Sequence, residues 1–332
     1  MSAWPTKLDR RRLITLAGGA VLAGGLSAVL LPWWQGLRRP VVIASSVWPG
    51  HELMFLARSE GWLVDSGVVL LETASANASL DLLATGEADG AALTLDAMLR
   101  ARAARIDLTA ILVFGVSAGA DVVLARAGID TLAGLRGQRI GVEQSALGVL
   151  MLRKLLEAAG LARSDLTVVP VTSTDHQRVW RAGQVDALVT CEPVASVLQA
   201  EGGYRIFDSR GIPDTIFDVL AVRTSVLRRR PGPLRRLLLA HFRALRHLRA
   251  SVQDATYRLA RRLELPAAEV LSLYRGVELP QVYQNRKYLS EKNNRVLAAA
   301  RTFSTLLVEE GLIPQQDDLR DLINPTLLPQ EP

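Results

Sequence analysis

The chain is short of cysteine, histidine and aromatics, and its body carries no surplus of charge; each shortage closes off a class of function. One cysteine, Cys191, in 332 residues excludes an intramolecular disulfide, a cysteine-rich zinc site and a lipid-attachment cysteine near the N-terminus. The four histidines, His51, His176, His241 and His247, show no His-Glu-x-x-His spacing, so each reads as a surface or capping residue, and no metal or cofactor is expected. A phosphate-binding P-loop is also missing from the sequence, which removes one common route to an enzyme. With 49% apolar residues but only 5% aromatics, the composition fits Leu/Ala helices and Val/Ile strands better than a β-sandwich.

The overall charge of +6 suggests nucleic acid until its distribution is read. Residues 1–40 hold Lys7, Arg10, Arg11, Arg12, Arg38 and Arg39 against Asp9, a net +5, leaving 33 basic and 32 acidic residues elsewhere. A nearly neutral body gives no electrostatic footprint for nucleic acid. A second basic run, from Arg228 to Arg249, falls on an expected helix, where long cationic side chains cover a solvated face.

Arg10-Arg11-Arg12 precedes an uncharged apolar stretch, Leu13 to Trp34, long enough to cross about 30 Å of hydrocarbon as a helix. The paired arginines resemble a twin-arginine export signal, although Asp9 and Thr15 depart from its usual residues. No clean Ala-x-Ala site follows, and Trp33 and Trp34 suit a membrane interface, so residues 1–39 are expected to be an export signal or a retained anchor. Either one places the body outside the cytoplasm, in contact with a membrane through this segment.

From Val41 short apolar runs alternate with amphipathic stretches, the pattern of an α/β fold with mostly parallel sheets and helices on both faces. Strands are expected at 41–45, 67–72, 89–94, 108–114, 119–126, 138–143, 166–171, 185–190, 204–208 and 216–223. Helices are expected between them at 50–61, 78–86, 95–104, 146–159, 174–182 and 193–201, with Ser145 and Asp175 as caps and Pro193 at a first helical position. After residue 233 the strand signal ends, and helices at 233–263, 267–274 and 289–311 form a helical tail broken by Pro266 and Pro280. The polar, Pro-containing end beyond Pro314 is expected on the surface.

Trp48-Pro49-Gly50, Phe55-Leu56-Ala57 and Glu60-Gly61-Trp62-Leu63 follow the first strand in order. They are joined by Thr85 to Gly90, Ser117 to Asp121, Ile129 to Val142, Gly183 to Val189 and Glu192-Pro193. This ordered series, over residues 40 to 225, resembles the nitrate/sulfonate/taurine-type periplasmic binding proteins of the NMT1/THI5-like group. The resemblance implies a two-lobed, type II periplasmic-binding-protein fold: residues 40–122 with 219–332 as lobe 1, 123–218 as lobe 2, and two crossovers as hinge. It also implies a small-molecule solute caught by hinge closure and passed unaltered to an ABC permease in the inner membrane, by a protein working as a monomer.

Carried over residue by residue, the resemblance makes Ser46, Trp48, Asn77, Ser79, Thr94 and Asp96 ligand-binding positions of lobe 1. Ser117 and Asp121 fall at the first crossover, Glu143 and Ser145 at a lobe 2 helix start, Glu192 before Pro193, and Asp218 at the return crossover. Each has a structural alternative: Asn77, Ser79 and Ser145 as helix caps, Asp96 as a helix-start charge, Asp121 and Asp218 as hinge ties, Trp48 as core packing. Five of these positions are acidic, and no arginine or lysine is among them. A cationic or neutral ligand, heterocycles included, is therefore favoured over a bare anion, although helix N-termini alone can bind anions. Two other functions compete. A sensory ligand-binding module would use the same cleft, and an enzyme resembling the pyrimidine synthases would need the cysteine-rich motif this chain lacks.

Overall fold

The structure is a computed structural model and describes residues 39–290 and 294–330. The expected export signal or anchor, with Trp33 and Trp34, lies outside the described residues apart from its last position. Among the described residues no helix is long and apolar enough to cross a membrane.

The first alternating run gives β1 (Val41–Ser45), α1 (Glu52–Ser59), β2 (Val68–Glu72), α2 (Ala76–Thr85), β3 (Gly90–Thr94), α3 (Leu95–Ala103) and β4 (Leu108–Ser117). The second gives β5 (Asp121–Ala125), β6 (Arg139–Glu143), α4 (Ala146–Ala159), β7 (Thr167–Val171), α5 (His176–Arg181), β8 (Ala187–Cys191), α6 (Val194–Ala200) and β9 (Tyr204–Asp208). β10 (Phe217–Arg223) then leads into α7 (Thr224–Arg229), α8 (Pro231–Ala250), α9 (Val252–Leu263), α10 (Ala267–Val270), β11 (Val277–Glu278), α11 (Val282–Tyr288) and α12 (Arg295–Glu309). All ten expected strands are present, each starting within two residues of its expected start.

The strands form two sheets, β11-β4-β10-β3-β1-β2 and β7-β6-β8-β5-β9. The chain passes from the first to the second between Ser117 and Asp121, and back between Asp208 and Phe217. Both sheets are mixed rather than mostly parallel. β1 runs parallel to β2 and β3, and β6 parallel to β7 and β8, but β10 and β5 are antiparallel to their neighbours. The physical cause is topological: β5 and β10 arrive from the other sheet instead of from a helix on their own. Every residue of β4 is buried, and Phe114, Phe217, Ile43, Leu53 and Met54 lie at the centre of the core. Strands this apolar on both faces need cover on both.

The helical tail differs from the expected three long stretches. Ser251, at φ −133° and ψ 59°, separates α8 from α9, and the resulting bend lets Arg262 of α9 reach Glu52 of α1 at 2.7 Å. The basic run is only in part a solvated face: Arg236 donates to the Ser66 carbonyl at 2.8 Å, Arg249 donates to that of Leu279 at 3.1 Å, and Arg243 stacks 4.0 Å over the Trp62 ring. The C-terminal end is also more buried than its composition suggests. Leu322, Leu327 and Leu328 are buried, and Leu322 and Asn324 hydrogen-bond to both sides of Ala110 on β4. The tail therefore covers part of an open sheet edge, a row of unpaired backbone groups that costs free energy if left bare.

Of the expected helix starts, Ser145 caps α4 by accepting from the Gly148 amide at 3.1 Å. Asp175 does not cap, because Arg178 and Thr172 occupy its carboxylate. Pro193 stands one residue before α6, after a cis peptide. Ser145→Ala is expected to lower stability by about 1 kcal/mol, seen as an earlier unfolding midpoint in urea; an unmoved midpoint would remove the cap from this account.

Candidate functional site

Six turns, each following the carboxyl end of a parallel strand, converge on one cavity of about 300 Å³. Ser46 and Trp48 come from the turn after β1, Asn77 from that after β2, and Thr94 with Asp96 from that after β3; opposite them stand Glu143 with Ser145 after β6, Ser173 with Thr174 after β7, and Glu192 after β8. The crossover residues Asp121 and Asp218 complete the lining. Such turns expose backbone amides and helix starts, which suits a small polar ligand.

Ten of the twelve expected positions line this cavity. Ser79 and Ser117 do not. Ser79 is buried under α2, its hydroxyl 2.7 Å from Thr73 Oγ1 and 3.4 Å from the Ser75 carbonyl, and Ser75, not Asn77 or Ser79, caps α2. The Ser117 hydroxyl lies 2.8 Å from Ser209 Oγ and accepts from the Asp121 amide at 3.1 Å, while Ser209 Oγ accepts from the Gly119 amide at 2.7 Å. Ser117 is thus a tie between the two crossovers.

The remaining acidic residues fall into two groups. Glu192 is already engaged, accepting from the Ser196 amide at 3.0 Å and lying 3.6 Å from Arg205, which also donates to the Gly119 carbonyl. Asp96, Asp121 and Asp218 are buried, and each keeps one carboxyl oxygen with no hydrogen-bond partner. Asp96 uses its other oxygen to accept from the Leu147 amide of α4 at 3.2 Å, a bond from the first sheet's helix to the second's. Loss of water, aided by Asp96 and Glu192, pushes the Asp121 carboxyl up to about 6. Burial beside Asp121 and Asp96 drives Asp218 well above the usual carboxylate range. Glu143 rises to about 7, chiefly through desolvation and secondarily through Asp96, with Arg100 opposing.

Several residues of the site were not found from sequence. Arg100 lines the cavity and brings a cation among the carboxylates. Its signal was its spacing, four residues after Asp96 on α3, which places both on one helix face. His51 and His176 also line the cavity, and they are buried, as is His241, rather than surface or capping residues. His51 Nδ1 lies 3.4 Å from the Ser46 carbonyl and His176 Nδ1 lies 3.0 Å from Thr190 Oγ1, while the Nε2 of each has no partner. Burial lowers His51 to about 3 and His176 to about 4, so both imidazoles are neutral at physiological pH. Cys191 is a third. Desolvation and the nearby Asp121 and Glu143 push its thiol well above the ordinary value, which suppresses the thiolate a nucleophile requires. Trp48 packs against Ala120 and Val277 while facing the cavity, so it is both wall and core.

A larger groove beside Arg102 lacks such unsatisfied groups. Its guanidinium is held by Asp317 at 2.7 Å and by the Leu108 and Arg320 carbonyls. A cluster of Glu60, His247 and Asp254 is bridged by Arg258, which pairs with both acids.

Comparison with known proteins agrees with this fold. A family model described as NMT1/THI5 like matches residues 48–255. A protein of Escherichia coli (strain K12) described as an aliphatic sulfonates-binding protein is 26% identical over 331 residues, 97% of each chain. Among solved structures, the periplasmic aliphatic sulphonate binding protein SsuA from Escherichia coli superimposes with a TM-score of 0.71 at 21% identity, covering 86% of this chain and 97% of that one. The alkanesulfonate-binding protein SsuA from Xanthomonas axonopodis pv. citri gives 0.66 at 19% identity, covering 83% and 96%. The desulfurization enzyme DSZB gives 0.63 at 20% identity, covering 86% and 97%. These likenesses establish the periplasmic-binding-protein fold, and the presence of an enzyme among them shows that this fold alone does not decide function.

Proposed function

Because the chain belongs to the NMT1/THI5-like family, we propose that it is the extracytoplasmic solute-binding component of an ABC importer, catching a small organic molecule by hinge closure and releasing it unaltered to a permease. The observation that carries this reading is a cavity lined from both sheets, with buried polar atoms lacking partners on each side of it, directly beside the two chain crossings. A solute that hydrogen-bonds to both sides favours the closed arrangement by its differential affinity, and the permease reads that population.

Residues 40–122 with 219–332 act as lobe 1 and residues 123–218 as lobe 2 in this reading. The crossings are few, and the Ser117–Ser209 contact ties them together, as a hinge requires. Asp96 to Leu147 and Arg153 to Glu309, at 2.8 Å between α4 and α12, are the contacts that closure would make and opening would break. Catalysis is disfavoured by the same side chains: the Cys191 thiol is held protonated, and Glu192 is spent on Ser196 and Arg205.

The test is small-angle scattering combined with mass spectrometry of the small molecule that co-purifies. A smaller radius of gyration with the solute bound, and recovery of that solute chemically unchanged after denaturation, are the expected results. No compaction with any bound solute, or a turnover product, would overturn the proposal.

A further inference from the structure

We infer that the cleft recognises a nitrogenous organic cation, its protonated amine or amidine seated among Asp96, Asp121 and Asp218, instead of the sulfonate that the names of similar proteins suggest. This rests on the solute-capture reading above and goes beyond it in fixing the ligand's charge.

The three carboxyl groups come from separate elements, the first turn of α3, the first residue of β5 and the second of β10, and converge on the cavity. Only 2%, 5% and 2% of Asp96, Asp121 and Asp218 is exposed, and each retains one buried oxygen without a partner. A buried acceptor with no donor costs free energy, and a buried carboxylate costs more. An organic cation that donates to all three favours their ionised forms and relieves both costs, whereas a sulfonate, which carries no donor, leaves their acceptors unpaired. His51 Nε2 extends the set of acceptors: its Nδ1 faces the Ser46 carbonyl, which fixes the proton there and leaves Nε2 with a free lone pair.

The ligand is organic and not a metal ion. Among the described residues, the one group of three or more ligand atoms within 4.8 Å of one another is Glu60, His247 and Asp254, outside the cavity. No three of the cavity's acidic, histidine or cysteine side chains therefore gather ligand atoms around one point, whereas separate N–H groups of an amidine or amino-heterocycle can each reach a different carboxylate. Arg100, a donor in the lining, serves an acceptor elsewhere on the same molecule, and the Trp48 ring offers it a flat face.

The test compares ligands of similar size and opposite charge: benzamidine with benzenesulfonate, and ethylamine with ethanesulfonate, by thermal shift and calorimetry. The cations are expected to raise the melting temperature and the sulfonates to leave it unchanged. Asp121→Asn and Asp218→Asn, both near-isosteric, are expected to weaken benzamidine at least tenfold while remaining cooperatively folded. Preferential binding of benzenesulfonate or ethanesulfonate would overturn the inference and leave solute capture intact. Cation binding indifferent to both substitutions would overturn it as well, and so would silence of both cations. Failure of every probe, joined by the absence of compaction in scattering with any co-purified solute, would remove the solute-capture reading beneath it.

Discussion

Asp121→Asn is expected to stabilise the ligand-free protein at pH 8 by up to about 3 kcal/mol, and to confer no such gain near pH 4. The sign follows from the direction of the shift. The Asp121 carboxyl titrates at about 6 in the folded protein against an ordinary value of 3.8. Between those values the folded state holds a proton that the unfolded state has lost, so stability falls as pH rises through the window and stays low above it. Asparagine cannot ionise, and the variant escapes that loss. Glu143, raised to about 7, adds a second decline of the same sign between its ordinary 4.5 and 7. The buried imidazoles work the other way: His51 and His241 lowered to about 3, and His176 to about 4, cost stability as pH falls below 6.5. The two sets oppose each other below pH 6.5, and above it only the carboxyls continue to titrate. Unfolding midpoints of wild type and variant measured from pH 4 to 8 check this; a difference that does not change with pH would refute it. The same energetics connect stability to function, because groups that destabilise the empty cleft are those a donor-bearing ligand would satisfy.

Asn285→Ala should cost about 3 kcal/mol of stability, since it strips partners from buried backbone. β4 lies next to the edge of its sheet, and β11 pairs only with Val116 and Ser117. Farther along, the Asn285 side chain takes the place of the missing strand. Its Oδ1 accepts from the Val113 amide at 2.7 Å, and its Nδ2 donates to the Val113 and Pro280 carbonyls, each at 3.2 Å. Asn285 is fully buried, so no water replaces the lost amide. Urea unfolding gives the difference directly, and a loss below 1 kcal/mol would show that the edge does not depend on this residue. Asn285→Asp tests the same point with little change in volume: an ionised carboxylate facing two carbonyls is expected to destabilise more than alanine does.

Much of the cavity lining was anticipated through the family resemblance, whose positions sit at fixed offsets from strands. Ser46 and Trp48, Thr94 and Asp96, and Glu143 and Ser145 each follow a strand whose apolar run marks where the turn must come. Ser79 shows the limit of that reasoning. Two residues beyond Asn77, it points under the helix toward Thr73 instead of into the cavity, and an offset along the chain does not reveal which side of a turn a hydroxyl takes. Ser117 was placed at the right crossover, but its partner is Ser209, 92 residues away.

By itself the sequence determined the alternation of strands and helices, the number of strands before the helical tail and the acidic character of the turns, because these depend on periodicity and residue type over short distances. The tertiary structure alone decided which way β5 and β10 run, that the C-terminal end closes the β4 edge, that three histidines are buried, and that Arg100 joins the carboxylates. Each of these depends on groups far apart in the chain sharing a volume from which water is excluded, and local pattern carries no record of that proximity.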